Sequence, residues 1–219
     1  MKRAWYLSGM CAVVALCIGL RLYRIDAPIA DWHSFRQVDT AGVARGFLQF
    51  GFDIMRPRYE DLSNIQSGHD NPMGWRMVEF PLYQYVAAGL SRQFEQLPLE
   101  IWLRLVNIAM STATAVLLIA LVSRYANPRT GLIAGWVYAA LPYSMFYSRA
   151  VLPDTFAVFW AMLGLFFLAK ADASQRTWMY VIAAAVPSAI ALLAKPTAVF
   201  LLIPAVFFFL RIPKRNLTH

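Results

Sequence analysis

Residues 101–123 read IWLRLVNIAMSTATAVLLIALVS, and this stretch decides the fold. An almost wholly apolar run of about 17 to 25 residues is what a helix needs to cross the hydrocarbon core of a bilayer. Comparable runs follow at 131–148, 154–170, 178–194 and, shortest of all, 197–210. Upstream lies one more, at 5–23, where Lys2 and Arg3 precede an apolar stretch from Met10 to Leu20. Secretory signals share that layout. However, Arg21 and Arg24 follow the run and no small-x-small cleavage site precedes Asp26, so the segment reads as an uncleaved anchor helix. Cys11 and Cys17 fall on different faces of it, about 9 Å apart along the axis, as packing residues.

Composition agrees. Of 219 residues, 59% are apolar or aromatic and 15% are charged, whereas an ordinary soluble domain has about 25% charged residues. A soluble globule cannot bury that much apolar surface, a disordered chain needs the opposite balance, and two cysteines do not make a disulfide scaffold. The formal charge of +8 is spread between apolar blocks rather than gathered in a stripe, so it points to topology and not to nucleic acid. The expected fold is all-α: a single polytopic membrane module over 1–219 with about six transmembrane helices, the first at 5–23 and five more over 101–211.

Basic residues in short loops are retained on the cytoplasmic side. With the N-terminus inside, six crossings place nine of them there: Lys2, Arg3, Arg124, Arg129, Lys170, Arg176, Arg211, Lys214 and Arg215. Arg149 and Lys195 occupy the outer turns. The expectation is a multi-pass protein of the plasma (inner) membrane with a cytoplasmic N-terminus and an extracytoplasmic loop at 24–100.

That loop carries ten of the chain's twelve acidic residues, seven arginines and no lysine. Ser34-Phe35-Arg36-Gln37 fits a capping box, and Val43, Phe47 and Phe50 recur at helical spacing up to Gly51. A second amphipathic helix is expected from Leu82 to Phe94, with Leu82, Val86, Leu90 and Phe94 on one face and Gln84, Ser91 and Glu95 opposite. Such helices lie in the membrane interface. The stretch 52–79, with Asn71-Pro72 and scattered glycines, reads as loop.

Arg149, Asp154 and Lys195 face the same compartment as the acidic loop and can share a cavity with it. Interfacial snorkelling is the plain alternative for the two cations, and a helix-dipole acid for Asp154. Asp39 sits one turn before Val43 on an apolar stripe, with Arg36 available as an i−3 partner. Asp31 is a loop acid not needed for capping. His33, beside Trp32, is a candidate contact or only a local hydrogen-bonding group. Glu79 opens the second amphipathic helix, where it can serve the dipole. With Asp31 or Asp39 it could also hold a hard divalent cation; no other metal motif is present.

The order of these elements resembles the membrane module of GT-C glycosyltransferases that use polyprenyl-phosphate sugars. Particular stretches are similar to the branch containing protein mannosyltransferases and aminoarabinose transferases: Ala44-Arg45-x-x-Leu48-x-x-Gly51, Glu79-x-Pro81-Leu82-Tyr83, Ser148-Arg-Ala-Val-Leu-Pro-Asp154 and Ala194-Lys195-Pro196. The resemblance implies a lipid-linked sugar as donor, membrane lipids as surroundings, and an acid at the start of the first interfacial helix as catalytic base. Arg36 and Gln37 stand where relatives have an Asp-Glu pair, so the base falls to Asp31 or Asp39. Phe80 replaces a basic residue some relatives have. The implied contacts to substrate are Arg36, His33, Glu79, Arg149, Asp154 and Lys195. Relatives typically add more spans and often an outer soluble domain, so a fragment and a complete chain are both open readings. A non-catalytic subunit or truncated remnant is the alternative; a flippase is disfavoured, since its charges would lie near the midplane.

Overall fold

The computed structural model describes residues 2–29, 31–63, 68–171 and 177–211. Arg176, Lys214 and Arg215, assigned above to the cytoplasm, lie outside the described residues. Nine α-helices are found among those described: α1 (Lys2–Leu22), α2 (Ser34–Phe50), α3 (Leu82–Gln93), α4 (Leu99–Tyr125), α5 (Pro128–Ala140), α6 (Pro142–Tyr147), α7 (Asp154–Ala171), α8 (Thr177–Ala194) and α9 (Val199–Arg211). A single 3₁₀ turn, Pro196–Ala198, joins α8 to α9. The described residues form no named strand, only an isolated antiparallel bridge between Arg58 and Trp75.

Four helices are long and apolar enough to cross a membrane: Ala4–Leu22, Leu99–Tyr125, Asp154–Ala171 and Thr177–Ala194. The protein is a multi-pass membrane protein. Helix α4 extends two residues beyond the predicted span at each end and, at 27 residues, is about 40 Å long. Small residues let its neighbours approach. A Cβ on Gly135 of α5 would stand 2.5 Å from Ile119 of α4, and one on Gly164 of α7 would stand 2.5 Å from Ser188 of α8.

The span expected at 131–148 is instead broken into α5 and α6 at Leu141 and Pro142. Proline lacks the N–H that would continue the ladder, and a buried cation occupies the bend. Arg21, fully buried at the end of α1, donates to Cys17 O (3.1 Å), Ala139 O (3.1 Å), Ser144 Oγ (2.8 Å) and Ser148 Oγ (2.5 Å). The residue that looked like a flank of the anchor is thus an internal strut. Cys17 is buried in a small cluster with Val13, Ala115 and Ile119, while Cys11 is exposed.

The capping box is corrected. His33, not Ser34, precedes the first helical residue of α2, in a left-handed conformation (φ 61°), and no side chain caps the helix. The Gln37 side chain is used elsewhere. Gly51 does end α2, with φ 98° and its N–H on Phe47 O. The buried stripe runs through Thr40, Val43, Ala44 and Phe47, whereas Phe50 is exposed. In α3 the predicted faces are rotated: Tyr83, Gln84, Ala87 and Ala88 are buried, and Val86 and Phe94 are exposed. Small alanines let α3 lie close against α2 and α4, a geometry that an apolar-versus-polar count cannot anticipate. The main core joins Ala44 and Phe47 (α2), Tyr83 and Ala87 (α3), Leu103 (α4), Phe156 (α7) and Ala191 (α8).

Candidate functional site

The N-terminal end of α7 and the C-terminal end of α8 lie together, and the stretch before α3 is fastened to them. Phe80 N–H donates to Leu193 O at 3.1 Å, which carries Glu79 to the helix ends. There Lys195 Nζ meets Asp154 Oδ1 at 2.5 Å. Glu79 Oε1 accepts from Arg36 Nη2 at 3.0 Å. Burial pushes the Glu79 carboxyl above its ordinary range, opposed by Arg36 and Lys195 and assisted by Asp154 and Asp39. Glu79, Arg36, Lys195 and Asp154 therefore share one electrostatic neighbourhood, drawn from four separate parts of the chain.

Asp39 lies deeper. Arg36 Nη1 donates to its Oδ2 at 2.9 Å, the i−3 pair expected from the sequence. Arg76 forks onto both carboxylate oxygens, Nε to Oδ1 and Nη2 to Oδ2, each at 2.7 Å. Arg76 is only 7% exposed and stacks over the Tyr59 ring at 5.3 Å. Nothing in the loop's sequence singled Arg76 out. It is aimed inward because Tyr59 N–H bonds Gly74 O (2.8 Å) and Arg76 N–H bonds Pro57 O (2.9 Å), a short ribbon whose alternation turns Trp75 outward. A close cavity lies among Arg36, Asp39, Arg76, Glu79 and Gln84.

Asp31 is exposed at the start of the same region. Gln37 Nε2 donates to its Oδ1 at 2.5 Å and to Trp32 O at 3.0 Å, while Gln37 Oε1 accepts the Val151 N–H at 2.9 Å. One amide thus ties the Asp31 turn to the segment holding Arg149 and Asp154. That segment is fastened again from α4: Asn107 Nδ2 donates to Ala150 O (2.7 Å), Leu152 O (2.9 Å) and Tyr83 Oη (3.1 Å). Arg104, buried on α4, donates to Ile25 O and lies in the field of Asp31 and Arg149. Arg149 Nη1 donates to Tyr23 O at 2.7 Å. His33 is exposed, with ring contacts to Trp32 (5.3 Å between centroids) and Tyr147 (6.1 Å).

All eight sequence-predicted residues consequently lie around one end of the bundle, in two linked groups: Arg36, Asp39, Glu79, Asp154 and Lys195, and then Asp31, His33 and Arg149. Arg76, Gln37, Arg104 and Asn107 were missed. For the last two a signal was present, since polar side chains inside the apolar run 101–123 are themselves a functional or structural flag. As for a divalent ion, Asp39 and Glu79 already meet arginines, and no cluster of three or more His, Cys, Asp or Glu among the described residues could hold a metal.

Beside the Lys195–Asp154 pair opens an apolar groove lined by Ala157, Val158, Phe200 and Leu201. A charged pair in the lining of an apolar groove gives the site an amphipathic character. Residues 78–219, more than half of the chain, match the model of the dolichyl-phosphate-mannose-protein mannosyltransferase family. The chain belongs to this family. It is accordingly a member of the GT-C membrane glycosyltransferases, and the matched portion contains Glu79, Arg149, Asp154 and Lys195. No curated protein and no solved structure matches it.

Proposed function

We propose that the protein transfers a sugar from a polyprenyl-phosphate donor to an acceptor hydroxyl on a lipid, glycan or protein, with inversion at the anomeric carbon, on the extracytoplasmic face of the plasma membrane. The observation that carries this reading is the Lys195–Asp154 pair in the lining of the apolar groove, with the Arg36–Glu79 pair in the same electrostatic neighbourhood.

In this reading the polyprenyl tail lies in the groove and the phosphate reaches Lys195, with Arg149 and Arg36 as further cations. Asp31 takes the proton of the acceptor hydroxyl as its oxygen attacks the anomeric carbon. The bond from that carbon to the phosphate oxygen breaks, and its electron pair stays on the phosphate. A base within hydrogen-bond reach contributes about 10²–10⁴-fold. Fixed cations stabilise the leaving phosphate more in the transition state than before it. Asp31 suits the base better than Asp39, because both Asp39 oxygens are held by Arg76, whereas Asp31 is exposed. Asp154 and Glu79 orient Lys195 and Arg36, and His33 borders the acceptor side.

The test is Asp31→Asn in purified, lipid-reconstituted chain given a polyprenyl-phosphate sugar. Turnover should fall by about 10²–10⁴-fold with donor binding intact. Unchanged turnover removes Asp31 from the mechanism, and donor binding without any turnover in the unaltered chain identifies a non-catalytic lipid-binding subunit or a truncated remnant instead.

A further inference from the structure

Of the seven arginines of the 24–100 segment, three form ion pairs and four, Arg24, Arg56, Arg58 and Arg92, form none among the described residues. Arg36, Arg45 and Arg76 each form an ion pair: Arg36 with Asp39 and Glu79, Arg45 with Glu60 and Glu100, and Arg76 with Asp39. Arg56 and Arg58 pair with no carboxylate among the described residues, yet they line one cavity with Phe50, Gly51 and Asp53 at the far end of α2. An arginine without a carboxylate is a free fork for another oxyanion.

The cavity is built rather than incidental. Gly46 lets the chain at Arg58 lie directly on α2, since a Cβ there would stand 2.0 Å from Arg58 O. Gly51 turns the chain at φ 98°, and the Arg58 guanidinium sits over the Phe50 ring at 5.6 Å. The cation is thus positioned in advance by packing and not by a counter-charge. Asp53, the one acid of the lining, is turned toward the chain, its Oδ1 accepting the Met55 N–H at 3.1 Å. Arg92 stands nearby over Phe52, whose ring stacks on Phe47. From Arg36 to Phe50 is fourteen residues of helix, about 21 Å, so this place is separate from the Lys195 neighbourhood.

We infer that Arg56 and Arg58 form a second anion site that holds the phosphate of a membrane-lipid headgroup. Lipid is favoured because the flanking Phe50 and Met55 are exposed apolar side chains (56% and 69%), the combination of aromatic body and arginine suited to the headgroup zone.

The experiment is calorimetric titration of the purified full chain, in neutral detergent, with dihexanoyl phosphatidic acid, dihexanoyl phosphatidylcholine and inorganic phosphate. The phosphatidic acid should bind saturably, and the double variant Arg56→Gln/Arg58→Gln should weaken it by about tenfold or more, the scale of one charge-assisted hydrogen bond. Arg58→Lys should recover part of the loss, which a merely unfolded chain cannot do. Inorganic phosphate binding equally well at these arginines retains the anion site but overturns the headgroup as its occupant. Undiminished affinity in the double variant overturns the site itself, and binding of the choline lipid that is equal and indifferent to the double variant overturns headgroup recognition by these arginines.

Discussion

Lys195 Nζ and Asp154 Oδ1 lie 2.5 Å apart across 41 residues, so the cation at the end of α8 is held by the first residue of α7. The pair is partly open, with side chains 25% and 37% exposed, and an incoming phosphate can compete for the ammonium. Lys195→Ala should weaken binding of the polyprenyl phosphate itself by about 10- to 150-fold, the range of a hydrogen bond to a charged group. Equal affinity by calorimetry would leave Lys195 as an interfacial anchor only.

Asp39 and Arg76 form a more enclosed pair, 9% and 7% exposed. Removing Arg76 leaves the buried Asp39 carboxylate with Arg36 as its one remaining cation, at a cost toward the lower end of about 3–5 kcal/mol. Arg76→Ala should therefore lower the thermal midpoint of the detergent-solubilised protein sharply, while Arg45→Ala, at an exposed pair, should change it little. Similar small shifts in both would contradict the burial of the Asp39 carboxylate.

The folded chain raises the Glu79 pKa above its ordinary value of 4.5, and so binds that proton more tightly than the unfolded chain does. This stabilising contribution is full below about pH 4.5 and is lost as pH rises through the raised folded value. Relative to Glu79→Gln, the wild type should lose thermal midpoint between acidic and neutral pH. A difference between the two that stays flat across that window would show that burial does not perturb Glu79.

The membrane class, the long spans and the gathering of charge at one end were legible in the sequence because they depend on apolar runs and on the alternation of helix direction. Arg36–Asp39 was legible too, being a local i, i+3 pair. Arg76 was not, because its inward aim comes from the isolated antiparallel bridge between Arg58 and Trp75. The rotation of α3 was hidden for a related reason: its close face is made of Ala87 and Ala88, which fit by size and not by hydrophobic weight. The break at Pro142 was hidden inside 131–148 because the stretch is apolar over its whole length.

Arg21 places a charge inside the protein with only neutral oxygens from α1, α5, α6 and Ser148 around it. Helix α1 is therefore more than a tether to the bilayer. Without it, Ser144 Oγ, Ser148 Oγ and Ala139 O would each lose a charged hydrogen-bond donor at the elbow just before Arg149 and Asp154. Helix α1 is part of the masonry beneath residues more than a hundred positions further along the chain.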